Sequence, residues 1–201
     1  MNYKIEYNQH HTQYLTISPR KATIMAKLIT VRQGALFIRL GKNELLIREG
    51  ESFWLPFDCL HAVTSTPDTI YDEVLFSPRL IGQLPIVSGF LISALFEQLL
   101  FTLASHHSST DEEHQLLNVL FQQIKYQTIS LNKKDLSRAL NHNIENIKEF
   151  NLCKEVVKQR KSGTKWSSIC RNHHQLSEAS LLELLKLYCS PDFIDDLLQT
   201  K

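Results

Sequence analysis

Histidine and cysteine are the nitrogen and sulfur metal ligands in this 201-residue chain, and there are nine and four of them. Their spacing argues against a metal site. His10-His11, His106-His107 and His173-His174 are adjacent pairs, and neighbouring side chains on a helix or strand point to different faces and do not converge on one ion. Cys59, Cys153, Cys170 and Cys189 are far apart with no C-x-x-C pair, which reads as free thiols in a reducing cytoplasm. His61 stands alone and cannot hold a metal by itself, so neither a metal nor another cofactor is expected. Two readings fit His61: a histidine at the mouth of a barrel bonded to backbone, or a contact to a small effector. The second chemistry on offer is phosphate contact. Lys154, Lys158 and Lys161 recur on one side of a helix whose other side is Leu152, Val156 and Val157, with Arg160 nearby. Such a run is either a solvated face or a set of phosphate ligands.

The elements that must position these residues come in two styles. From Lys27 to about Ser77, short runs rich in β-branched and aromatic residues alternate with turns at Gln33-Gly34, Gly41-Lys42-Asn43, Glu49-Gly50-Glu51, Pro56-Phe57-Asp58 and Thr66-Pro67-Asp68. Regular short strands of this kind predict a β-sandwich or barrel. After Pro85 the period changes to helical. Ile86, Phe90, Ala94, Glu97, Leu100 and Phe101 predict a long apolar helix, and Leu116, Leu117, Leu120, Phe121 and Ile124 a second one capped by Asp111. The first could be mistaken for a membrane span, but Glu97 would cost about 2.5–3.5 kcal/mol in a bilayer, so no membrane partner is expected. The apolar faces of this pair need a cover, either the chain's own barrel or a second copy. Residues 125–150 are polar and weakly periodic, as in a linker.

The last stretch, residues 165–198, has two apolar sets at helical spacing. Trp166, Ile169 and Cys170 come first, then Leu181, Leu184, Leu185 and Tyr188, with a short break and the N-cap Ser177 between them. Two short helices across so tight a turn predict a helix-turn-helix. Its second helix would show Glu178, Ala179, Leu182, Glu183 and Lys186 outward, which is poor material for a phosphate-lined groove. Charge is divided in the same sense. Residues 1–124 hold nine Lys and Arg against twelve Asp and Glu, and residues 125–201 hold thirteen against nine. An acidic front and a basic rear suit a sensor joined to a nucleic-acid reader. Hydrophobic residues at 43% and charged ones at 21% exclude a disordered chain.

Two motifs carry a family resemblance. Gly34, Gly41, Glu49-Gly50-Glu51, Trp54-Leu55-Pro56 and His61, in that order, resemble the cupin-type sensor barrel of AraC/XylS-type transcription regulators. Metal-dependent cupin enzymes place His-x-His and Glu after the first glycine. Here Gly34 is followed by ALFIRLGKNE, so a non-enzymatic chain is expected. Lys154-Glu155-Val156-Val157, then residues 163–170 (GTKWSSIC) and 176–181 (LSEASL), resemble the first helix-turn-helix of the same family, most closely its enteric virulence and acid-resistance regulators.

The resemblance implies an α+β chain: a cupin-like small β-barrel over residues 1–84, a helical dimerisation hairpin over 85–127, a linker over 128–150 and a helix-turn-helix unit over 151–201. It implies a homodimer, a small effector near Trp54 and His61, and DNA contacts from Lys158, Lys161, Lys165, Ser167, Ser177, Glu178, Ser180 and Lys186. Two departures bear on that. The family's basic run falls on Leu182-Glu183-Leu184, and the second helix-turn-helix unit of relatives is not found in these residues. Two functions follow: a regulator that acts on promoter DNA, or a relative that modulates another regulator by protein contact.

Overall fold

Strand β4 (Ala26–Gln33) shows why the front of the chain reads as continuous apolar runs where alternation would be usual. Ala26 and Leu28 face one way, Ile29 and Val31 the other, and all four are buried. A strand covered on both faces has no solvated side to mark with polar residues. One cover is a second β-sheet and the other a pair of helices. The computed structural model describes residues 5–22, 24–91, 93–105, 110–127, 129, 131 and 147–199.

The first sheet is built from β1 (Ile5–Thr12), β9 (Thr69–Phe76), β4, β7 (Ser52–Leu55) and β10 (Gly89–Leu91), in that spatial order and antiparallel throughout. The second has the order β2 (Thr16–Ile17), β8 (Leu60–Ser65), β5 (Ala35–Leu40), β6 (Asn43–Arg48), with the short β3 (Lys21–Ala22) also on β8. Ile29, Val31, Leu36, Ile38, Leu45, Ile47, Phe53 and Leu55 fill the space between the sheets.

The β4–β5 turn depends on Gly34, whose φ is +79° and whose missing Cβ would lie 2.7 Å from the buried Thr69 hydroxyl. That hydroxyl also donates to the Thr66 carbonyl at 2.7 Å. Gly34→Ala is expected to cost more than about 1 kcal/mol. Gly41→Ala has a similar φ but open space around it, so it should cost less. Urea midpoints of the two variants check this, and equal losses would show that the Thr69 contact contributes nothing.

Helices α1 (Ala94–Ser105) and α2 (Thr110–Lys125) lie on the other face of the first sheet. Phe96, Leu99, Leu100, Leu103, Leu117, Leu120, Phe121 and Ile124 join Leu28, Trp54, Val74 and Phe76 in one core. Of the two covers expected for this helix pair, the chain's own barrel takes the buried faces, and Leu95, Phe101 and Val119 remain outward.

Several expectations need correction. The helix expected to open at Ile86 begins at Ala94, because residues 89–91 pair with β7 and carry the sheet beyond residue 84. Phe90, expected on that helix, meets Phe53 edge-on at 5.1 Å, and this cross-strand contact overrides the helical period. Asp111 lies inside the first turn of α2 and does not cap it. The polar N-terminal stretch supplies β1, paired to β9 along its whole length. The expected linker falls largely on residues 132–146, outside the described residues, as does the His106-His107 pair.

Among the described residues the C-terminal unit has four helices: α3 (Ile147–Lys161), α4 (Trp166–Asn172), α5 (Glu178–Tyr188) and α6 (Pro191–Gln199). Gly163, at φ +89°, ends the turn after α3, where its amide bonds the Arg160 carbonyl at 2.9 Å. The helices share a core of Phe150, Cys153, Val156, Val157, Trp166, Ile169, Leu181, Leu185, Cys189, Ile194 and Leu197. Leu15, Ile17, Phe37 and Leu46 from the outer face of the second sheet complete that core. A backbone bond from Leu15 N–H to the Tyr188 carbonyl, 2.7 Å, ties the two parts together. Chain architecture is therefore α+β, with a β domain followed by a helical one. Among the described residues no helix is long and apolar enough to cross a membrane.

Candidate functional site

Fixing the strand register decides which polar side chains look into the barrel. Lys27 shares a face of β4 with Ile29 and Val31, and Glu73 shares a face of β9 with Tyr71. The Lys27 ammonium donates to Glu73 at 2.7 Å, with both side chains mostly buried. His10 Nε2 stands 3.4 Å from the same carboxylate, and its ring stacks on Tyr71 at 4.8 Å. Burial, and then the Glu73 charge, push the Tyr71 phenol up to about 12. His61 is buried, its Nδ1 lies 2.8 Å from the Cys59 carbonyl, and burial lowers its pKa from the usual histidine value. The neutral imidazole therefore donates from Nδ1, which leaves Nε2 as an acceptor, and the Lys27 and Glu73 charges both act on this ring. This end of the barrel thus combines a cation, a carboxylate, a neutral imidazole and a phenol with apolar walls. Among the described residues no group of three or more His, Cys, Asp or Glu side chains is placed to hold a metal ion.

Trp54 does not belong to this cluster. It is one residue out of phase with Phe53, so its indole faces α1 and α2, fully buried, and donates to the Pro85 carbonyl at 3.0 Å. Its expected effector contact is corrected for that reason: alternation along β7 sends Phe53 inward and Trp54 outward. Lys27, Glu73, His10 and Tyr71 were missed. Lys27 could have been found from its even spacing with Ile29 and Val31, but the pairing of β1 with β9 leaves no local signal.

The helix-turn-helix is present, with Ser177 as N-cap of α5: its Oγ accepts the Ser180 amide at 3.1 Å. Ser177 and Ser180 also share a hydroxyl contact at 2.8 Å, so both are engaged in the cap. The Glu178 carboxylate accepts from Trp166 Nε1 at 2.8 Å, which fixes α4 against the start of α5. On α5, Leu182 is half-buried in the helical core and not outward as expected. Leu187 is the exposed leucine, at 72%. Lys186 pairs with Glu183 at 2.7 Å. Exposed acids Asp192, Asp195 and Asp196 follow on α6.

The basic helix is the larger correction. The expected phosphate-facing side of α3 is turned onto the barrel. Lys154 is buried, with its ammonium 2.6 Å from Glu44 and 5.0 Å from the Phe37 ring centroid. Lys161 donates to the Ile17 carbonyl at 2.9 Å. Lys158 is half-buried, and burial followed by the Lys154 charge lowers its pKa. Arg160 pairs with Asp196 at 2.9 Å. The physical reason is that Phe37 and Leu46 make the outer sheet face apolar, and the apolar stripe of α3 must cover them. Its flanking lysines then reach the sheet's acceptors. Of the eight expected DNA contacts, Lys165 and Ser167, at the start of α4, remain exposed and make no side-chain hydrogen bond or ion pair among the described residues.

No protein-family model matches the chain, and no curated protein is significantly similar in sequence. Among solved structures it is similar to ToxT from Vibrio cholerae with an unsaturated fatty acid bound, at 12% identity and a TM-score of 0.45, over 98% of this chain and 78% of that one. A second crystal structure of Vibrio cholerae ToxT matches at 10% identity and a TM-score of 0.41, over 97% and 80%. An RmlC-like cupin from Shewanella frigidimarina matches over 39% of this chain and 71% of its own, at 14% identity and a TM-score of 0.36. These likenesses are of coarse fold alone.

Proposed function

We propose that this chain is a non-enzymatic regulatory protein of AraC-type architecture that takes a small effector at the barrel end lined by Lys27, Glu73, His61 and Tyr71. It acts through its C-terminal helical unit on another protein and not on promoter DNA. The observation that carries this reading is the docking of Lys154 and Lys161 on the barrel, which withdraws two of the cations of the basic helix from phosphate contact. The outward side of α5 supports it too, since Glu183 and the exposed Leu187 suit a protein groove better than a phosphate-lined one.

A mobility-shift titration with promoter fragments across a salt series tests the reading. No shift is expected even at low salt. A shift whose log affinity falls steeply with log salt would overturn it in favour of direct DNA binding. Co-purification from the source organism tests the other half. A larger regulator should be retained by the wild type and lost with Leu187→Asp, and equal recovery by both would place the contact elsewhere.

A further inference from the structure

The seam between the barrel and the helical unit holds more positive than negative charge. Arg39 of β5 is the cross-strand partner of Glu44 on β6, on the same outer face as Phe37. Glu44 is already engaged by Lys154 at 2.6 Å. Lys158 lies one helical turn beyond Lys154 on α3 and feels Lys154, Glu44 and Arg39. Glu44 thus stands beside Arg39 across the strand pair and is bound by Lys154, with Lys158 one turn further along the same face of α3. Among the described residues neither Arg39 nor Lys158 makes a side-chain hydrogen bond or ion pair. The one other acid nearby, Glu155, accepts from Gln159 at 3.2 Å. Arg39 is exposed and Lys158 half-buried, and the Lys158 charge is repelled by its neighbours more strongly than a fully solvated one would be, because the dielectric around it is lower. A seam of this kind is stabilised by an anion with several acceptor oxygens, which can take the Arg39 fork and the Lys158 ammonium together.

We propose that Arg39 and Lys158 form a binding site for a small phosphate-bearing anion at the seam between the barrel and the helical unit. The site is separate from the barrel interior, since Arg39 is on the opposite face of β5 from Ile38. One ligating residue comes from each part of the chain, so occupancy strengthens the docking of α3 on the sheet. Because Lys158 is half-buried at the foot of the helix and not on an outward ridge, a free small anion fits better than a duplex phosphate.

Thermal unfolding of the full chain with inorganic pyrophosphate, against chloride at matched ionic strength, tests the site. Millimolar pyrophosphate is expected to raise the midpoint by about 2–4 °C beyond chloride. Arg39→Gln and Lys158→Gln should each lose most of that rise, and Lys165→Gln, at the exposed start of α4, should keep it. An equal rise in chloride, or an undiminished rise in the Arg39→Gln, Lys158→Gln double variant, overturns the proposal. Calorimetric titration of the wild type with pyrophosphate gives a second reading free of variant folding, and absence of saturable heat overturns it as well. A short duplex that displaces pyrophosphate in that titration would make nucleic-acid phosphate the ligand and overturn the small-anion assignment. These outcomes are independent of whether the α5 face binds protein.

Discussion

Phe37→Ala is expected to lower the stability of the whole chain by about 3–5 kcal/mol, in a single unfolding transition. Phe37 belongs to the barrel by sequence but to the helical unit by packing. Its ring is 4% exposed, stacks on Phe150 at 5.2 Å, and lies 5.0 Å beneath the Lys154 ammonium. Truncation removes the stacking partner, opens a cavity against Phe150 and takes away the aromatic face on which Lys154 rests. Phe101→Ala, at 58% exposure on α1, should lose little by comparison. Urea unfolding can be followed by far-UV circular dichroism and by tryptophan fluorescence, which reports Trp54 in the barrel–helix core and Trp166 in the helical core. Coincident transitions shifted together in Phe37→Ala are the expected result. A wild type that unfolds in two separated steps, with only the later or earlier one moved, would show that barrel and helical unit are independent domains.

Asp72→Leu is the second large effect, expected at about 3–5 kcal/mol by the same measurement. Asp72 is fully buried under α2 on the first sheet. Its carboxylate accepts from the Tyr7 hydroxyl at 2.7 Å, from Gln9 Nε2 at 3.3 Å and from Arg32 Nε. Burial, then the Asp72 hydrogen bond and charge, hold the Tyr7 phenol well above its ordinary pKa. These bonds join β1, β4 and β9, so the cluster sets the register of the N-terminal strand. Removing the carboxylate leaves the Arg32 guanidinium without its counter-charge, and its Nη2 is already buried without a partner. Replacing both members of the pair, Arg32→Met with Asp72→Leu, should recover a substantial part of the loss, since no lone charge then remains buried. A double variant no better than Asp72→Leu would show that the ion pair is not the cause.

Local chemistry in the chain itself was enough for several elements. The turn residues around Gly34, Gly41 and Gly50 delimit β5 and β6. The stripe from Leu116 to Ile124 specifies α2, and Ser177 specifies the start of α5. Each is written in neighbouring residues, because a hydrophobic period, a positive φ or an N-cap needs no distant partner. The helix-turn-helix was legible for the same reason, and so was the absence of a basic run at Leu182-Glu183-Leu184 of its second helix.

Tertiary structure alone decided what those elements face. Trp54 and Phe53 are equally apolar in sequence, and only the pairing of β7 between β4 and β10 sends one to the helices and the other into the barrel. Residues 89–91 lie in a helical pattern until β7 offers a ladder. Lys154, Lys158 and Lys161 read as a free basic face until Phe37 and Leu46 demand a cover and Glu44 supplies a counter-charge more than a hundred residues away. Periodicity reports that a face will be buried or charged, but not against what. The amino-acid sequence by itself determined a β domain, a helix pair and a helix-turn-helix in that order. Whether the basic helix points to solvent or to the barrel was settled only by contacts between residues distant in the chain, which have no local signature.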